Sequence, residues 1–160
     1  MLYNKANVEN IGRKLLGLKQ TIAVAESVTS GHLQAAFSLA PDASRFFQGG
    51  ITAYNIGQKC RHLLVEPTHA LECDCVSERV AVDMATAVAG LFSSDYGIGI
   101  TGYATTKPEA GINELFAYIS VVFKGSSLFT ARITPEATDS LDVQVDYVNQ
   151  VLKRLDATLK

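Results

Sequence analysis

Apolar and polar positions alternate along this chain in blocks of two periods. Val8, Ile11, Leu15, Leu16 and Leu18 recur at helical spacing, which predicts an amphipathic helix over about Asn4 to Lys19. "TIAVA", Thr21–Ala25, is a short apolar run of the kind that forms a buried strand. A second helix is expected from about Thr29 to Leu39, stopping before Pro41 because the residue before proline disfavours helical geometry. "PDASRFFQ" fits a short helical turn with Asp42 or Ser44 near its start, and "GGITAYN", Gly49–Asn55, a second strand. "IGQKCRHLL" turns helical again and ends before Pro67.

The clearest helix begins after Ser77, a good N-cap residue, and carries Val80, Met84, Ala85 and Val88 to about Phe92. "YGIGITG", Tyr96–Gly102, predicts a third strand. Glu114–Phe123 and Ser127–Thr134 flank "KGSS", a hairpin signal. A last helix is expected from about Thr138 to Leu159, capped by Asp139 or Ser140, with Leu141, Val145, Val148, Leu152 and Leu155 on its apolar face. Short strands alternating with helices, then a hairpin and a closing helix, predict a three-layer α/β/α sandwich with a mixed, mainly parallel sheet. We expect a single domain over residues 1–160, with no repeat or linker.

Composition narrows the functional classes. The 160 residues include 14 Lys and Arg, 16 Asp and Glu and a net charge of −2, so no nucleic-acid partner is expected. The apolar runs fall well short of the ~20 residues of a membrane-spanning helix. "MLYNKANVEN" lacks the apolar core of a signal peptide, and a cytoplasmic location is expected. Cys60, Cys73 and Cys75 are odd in number and lack paired metal-ligand spacing, so free thiols and no metal are expected.

Ligands of α/β sheets gather at the carboxyl ends of strands. Three such ends carry chemistry here: Glu26–Gly31, Tyr54–Lys59 and Thr101–Thr106. The first, Glu26-Ser27-Val28-Thr29-Ser30-Gly31, has two readings. Ser27 or Thr29 caps the next helix, or a hydroxyl attacks a carbonyl while helix N-terminal N–H groups hold the oxyanion. Lys59, near a helix start where the dipole disfavours a cation, is either a surface amine or a base that activates a serine, with Tyr54 assisting. Ser44, between Asp42 and the pair Phe46-Phe47, is read as a local cap beside a buried aromatic staple.

Taken together, these segments resemble the C-terminal domain of the CinA (competence/damage-inducible protein) family. "AESVTSG" looks like the family's AES-C-T-G-G segment. "SRFFQGGITAYNIGQK" resembles its S-x-x-F-x-x-G-x-x-x-Y-S-N-x-x-K segment. "CVSERVAVDMA" resembles its A-V-S-E-x-V-x-x-x-M-A helix, and "GIGITGYA" its strand ending in (T/S)-G-I-A-G-P. The resemblance covers about Thr21 to Phe123.

The resemblance implies a nicotinamide mononucleotide deamidase: hydrolysis of a pyridine nucleotide's carboxamide, or of a related small amide, without cofactor. It places Ser27, Ser44, Tyr54 and Lys59 at the catalytic positions, leaving the nucleophile open between Ser27 and Ser44. It points to Glu26, Thr29, Ser30, Gly31, Asn55, Thr101 and Gly102 for substrate binding, and to a homo-oligomer in which the 117–134 hairpin offers an edge.

The chain also departs from the family pattern. Val28 stands for the family cysteine and Ser30 for its first glycine. "YATTKPEAGINEL" replaces the glycine-rich loop after Gly102. These departures imply an altered substrate end beside a retained hydrolytic centre. The alternative is a substrate-shifted or catalytically impaired homologue that binds a ligand or protein.

Overall fold

The structure, a computed structural model, describes all 160 residues. Helix α1 (Lys5–Leu18) begins at an Asn4 cap and buries Val8, Ile11 and Leu15. Strand β1 (Ile22–Glu26) leads to α2 (His32–Ser38), and a single 3-10 turn, Ala43–Arg45, precedes β2 (Phe47–Thr52). Three helices follow: α3 (Ile56–Leu63), α4 (Pro67–Glu72) and α5 (Glu78–Leu91). Strand β3 (Tyr96–Gly102) enters the hairpin of β4 (Ala117–Phe123) and β5 (Ser126–Ile133), and α6 (Ser140–Thr158) closes the chain.

The five strands order as β2-β1-β3-β4-β5. The β1–β2 and β1–β3 pairs are parallel, and the β3–β4 and β4–β5 pairs antiparallel. Only β4 therefore runs against the rest, which is the mixed, mainly parallel sheet the pattern predicts. The hairpin turns through Lys124 and Gly125, both at positive φ, and leaves β5 as an edge.

Alternation along the central strands sorts the two faces. Ile22 and Val24 of β1, with Tyr96, Ile98 and Ile100 of β3, join a 27-residue core under α1, α2 and α6. Ala23 and Ala25 point the other way, into a 10-residue core beneath α3, α4 and α5. On that second face Gly97 and Gly99 let α5 lie almost on the sheet. A Cβ at either position would collide with the carbonyl oxygen of Ala85 or Ala81.

Differences from the sequence reading are local. β2 starts at Phe47 rather than Gly49 and ends at Thr52, so Tyr54 and Asn55 belong to the turn beyond it. α4 was not expected, because six residues are too short to show a period. Pro67 at its first turn and the Glu66 carboxylate, which accepts from the Thr68 and His69 N–H groups, define it.

The larger correction concerns α2. Neither Ser27 nor Thr29 caps it. Ser30 (φ 48°) and Gly31 (φ 97°) turn the chain through left-handed backbone, and the helix starts only at His32. The cap comes from Glu26: Oε1 accepts the Leu33 N–H at 2.7 Å and Oε2 the Gln34 N–H at 3.0 Å.

Candidate active site

Glu26 pairs with Thr52 on one side and Ile100 on the other, so the carboxyl ends of β1, β2 and β3 finish side by side. The connections out of β1 and β3 diverge here, β1 leading to β2 through α2 and β3 to the hairpin. That divergence opens a crevice at the switch point. A cavity of about 580 Å³ occupies it, lined by Ser27 and Val28 from the β1 turn and by Tyr54, Asn55 and Lys59 around the start of α3. Gly102 and Tyr103 at the end of β3 complete the wall with Asp74 and Cys75. A larger groove, about 690 Å³, lies between the start of α1 and α6, but amides and surface charges such as Asn4, Asn149, Gln150 and Lys153 line it. It holds no buried reactive group.

Lys59 is the most unusual side chain in the cleft. It is only 5% exposed, on the inner face of α3. Its Nζ enters no hydrogen bond or ion pair with the protein, and it escapes being an orphaned buried atom because it meets the cleft. Burial pushes its pKa below the usual lysine value; the surrounding Cys75, Asp74, Cys73 and Cys60 pull weakly the other way. The free amine, which is the form a base needs, is thereby made more accessible.

Ser27 is 5% exposed, and its Oγ likewise has no protein partner. Its N–H donates to Ile100 O at 3.2 Å, anchoring it to the end of the sheet. The next two amides are free: neither the Val28 N–H nor the Thr29 N–H meets a backbone or side-chain acceptor. A hydroxyl, a buried amine and two unsatisfied N–H donors are thus gathered where β1 ends.

The other expected site residues divide into two groups. Tyr54 (68% exposed) stands at the rim, Asn55 lines the cleft while its Oδ1 caps α3 through the Gln58 N–H, and Gly102 lies in the wall. Gly102 is also forced by packing, since a Cβ there would strike the Phe116 carbonyl and Ala117.

Six others do not line the cleft. Glu26 and Thr29 are fully buried, and the Thr29 hydroxyl donates to Glu26 Oε1 at 2.6 Å. Ser30 and Gly31 supply the left-handed turn. Thr101, also fully buried, donates to Cys75 O at 2.6 Å. Ser44 is exposed in the 3-10 turn before β2, at the amino end of the sheet. Within one chain it is remote from Ser27 and Lys59.

Of the wall opposite, the sequence points to the segment after Gly102 but not to Asp74 or Cys75 as site residues. Asp74 and Cys75 take consecutive left-handed conformations (φ 53° and 57°), each costing roughly 1–2 kcal/mol for a residue with a Cβ. The Thr101 hydroxyl on Cys75 O helps to hold that turn. Tyr103 donates its hydroxyl to Asp74 Oδ2 at 3.2 Å, and burial together with Asp74 raises its pKa to about 12. Thr105, Lys107 and Ile112 come from the segment after β3, and Ser140 and Gln144 from α6. Lys107 exchanges backbone hydrogen bonds with Ile112, so this segment is a short closed loop. No motif announces these residues, because they converge only through the β3–β4 and α4–α5 connections.

The sequence matches the CinA C-terminal domain model over residues 4–159. It is 41% identical over 99 residues to a CinA-like protein of Picosynechococcus, covering 62% of this chain and 24% of that one. It is 31% identical over 149 residues to a provisionally named competence-damage inducible protein of Streptococcus agalactiae, covering 91% of this chain and 33% of the relative. The chain thus spans about a quarter to a third of the length of these relatives. Among solved structures, a competence-damaged protein (CinA) superfamily protein from Escherichia coli superposes with a TM-score of 0.87 at 27% identity, covering 98% of this chain and 93% of that one.

Proposed function

This chain belongs to the CinA C-terminal domain family, and on that premise we propose that it is an amide hydrolase acting on the carboxamide of a pyridine nucleotide of the nicotinamide mononucleotide type. The observation that carries the reading is the pairing of two nearly buried, unpartnered groups on one cleft: the Ser27 hydroxyl and the Lys59 amine.

In this reading the Lys59 free base takes the Ser27 proton as Oγ attacks the carboxamide carbon. The oxyanion forms against the Val28 N–H, which belongs to the residue after the nucleophile, a position hydrolases commonly use. Lys59 returns the proton to the departing nitrogen, the C–N bond breaks and ammonia leaves. Water, deprotonated by Lys59, then attacks the Ser27 ester; the C–Oγ bond breaks, Lys59 returns the proton to Oγ, and the carboxylate product leaves. Tyr54 at the rim and Asn55 beside it orient the amide, and Lys107 offers the cleft a cation for a phosphate. Ser27 is preferred to Ser44 because only Ser27 lines the cleft within one chain.

The test is ammonia release from nicotinamide mononucleotide, with Ser27→Ala and Lys59→Ala as controls. Turnover lost in both controls supports the reading. Absence of turnover in the wild type, with thermal stabilisation by the nucleotide, favours a binding domain instead.

A further inference from the structure

Tyr103 and Asp74 build one wall of the cleft, and Tyr103 belongs to the segment after Gly102 that departs from the family pattern. We infer that Tyr103 and Asp74 form a recognition pair for the positive charge of a pyridinium ring, setting the cleft's preference for N-substituted, cationic carboxamides over neutral ones. The inference rests on the pyridine-nucleotide reading and adds the property of the substrate that this wall reads.

Asp74 is the single carboxylate lining the cleft. One oxygen, Oδ2, accepts the Tyr103 hydroxyl at 3.2 Å; the carboxylate makes no ion pair with the protein. Its backbone is left-handed (φ 53°), a conformation that aspartate and asparagine tolerate better than most residues.

Tyr103 is fixed from three sides. Its N–H donates to Phe116 O at 2.9 Å, and its carbonyl accepts the Tyr147 hydroxyl at 2.7 Å. Its ring packs against Phe116 at 5.5 Å and 81°. The phenol is therefore oriented before any ligand arrives, with a carboxylate on its hydroxyl that makes the ring richer in electrons.

A carboxamide on a pyridine whose ring nitrogen carries an alkyl or ribosyl group has a full positive charge spread over the ring. Such a ring is attracted both to the carboxylate and to the aromatic face. A neutral pyridine carboxamide has the same shape at the amide and lacks both attractions.

Binding of two small amides measured by calorimetry at fixed ionic strength tests this. The probes are 1-methylnicotinamide, which is cationic, and nicotinamide, which is neutral; both lack sugar and phosphate. Ser27→Ala protein is used so that neither probe is consumed. Asp74 is exposed, and the expected result is about two- to fivefold tighter binding of the cation. Asp74→Asn, which keeps the left-handed turn, should remove most of that ratio, and Tyr103→Leu should reduce it, the loss in each falling mainly on the cationic probe. Tyr103→Phe should keep the larger part of the preference.

Equal binding of the two probes, binding of neither, or an equal loss for both probes in Asp74→Asn overturns the inference. Ammonia release from nicotinamide mononucleotide by the wild type is scored separately. Turnover without a charge preference removes the recognition pair and leaves the hydrolase reading standing. A charge preference without turnover does the reverse.

Discussion

Glu26 and Lys59 are both ionisable, both nearly or fully buried and both near the carboxyl end of the sheet, yet the fold treats them in opposite ways. Glu26 receives three donors within 3.0 Å: the Thr29 hydroxyl and the Leu33 and Gln34 N–H groups. Its carboxylate replaces the missing intrahelical acceptors of α2 and holds the β1–α2 turn closed. Lys59 makes no hydrogen bond or ion pair with the protein. A buried polar group with its bonds complete belongs to the scaffold. One that the scaffold leaves open is available to a ligand, at a cost in stability that the rest of the fold must offset.

The sharpest way to break this contrast is to exchange the two roles by substitution. Lys59→Met keeps the volume and removes the amine. Turnover should fall by at least about 10²-fold, while stability in urea stays within about 1 kcal/mol of wild type or rises. A large loss of stability instead makes Lys59 a structural residue. Glu26→Gln should show the complementary pattern. One of its two terminal atoms becomes an N–H donor facing other donors, and unfolding free energy should drop by about 2–4 kcal/mol.

Smaller effects refine the boundary between scaffold and site. Thr101→Val leaves the Cys75 carbonyl without its hydroxyl donor, and about 1–2 kcal/mol of stability should be lost in the same urea titration. Ser44→Ala touches an exposed side chain in a short turn and should move stability by no more than about 0.5 kcal/mol.

The layout of the fold was legible because its signals are periodic. The spacing of Val8, Ile11 and Leu15, the Ser77 cap and the "KGSS" turn each point to the element that is found. The site was legible only in part. Ser27, Tyr54, Asn55, Lys59 and Gly102 do converge on one cleft.

Glu26, Thr29 and Thr101 could not be sorted from them in sequence, because a polar residue at a strand end looks the same whether it faces a ligand or the backbone of the next helix. Ser44 sits in a segment that reads as locally polar, but its position before β2 rather than after it sends it to the other end of the sheet. Asp74 and Tyr103 are 29 residues apart, and only the crossing of the α4–α5 connection past the end of β3 makes them neighbours.

The claim that Lys59 is a buried, unpartnered amine is tested most directly by titrating it. Protein labelled with ¹³C at lysine Cε, with the Lys59 resonance assigned by its absence in Lys59→Met, reports the amine's pKa in the folded state. The expected midpoint lies below the ordinary lysine value of about 10.4. The sign carries over to stability. Below the folded midpoint both states hold the proton and burial of the charge costs the fold its full penalty. Between the folded and unfolded midpoints only the unfolded state binds the proton, so stability rises with pH until the penalty is gone. Turnover should rise through the same lower midpoint, as the free base appears. A Lys59 resonance that titrates with the exposed lysines, or above them, contradicts the account.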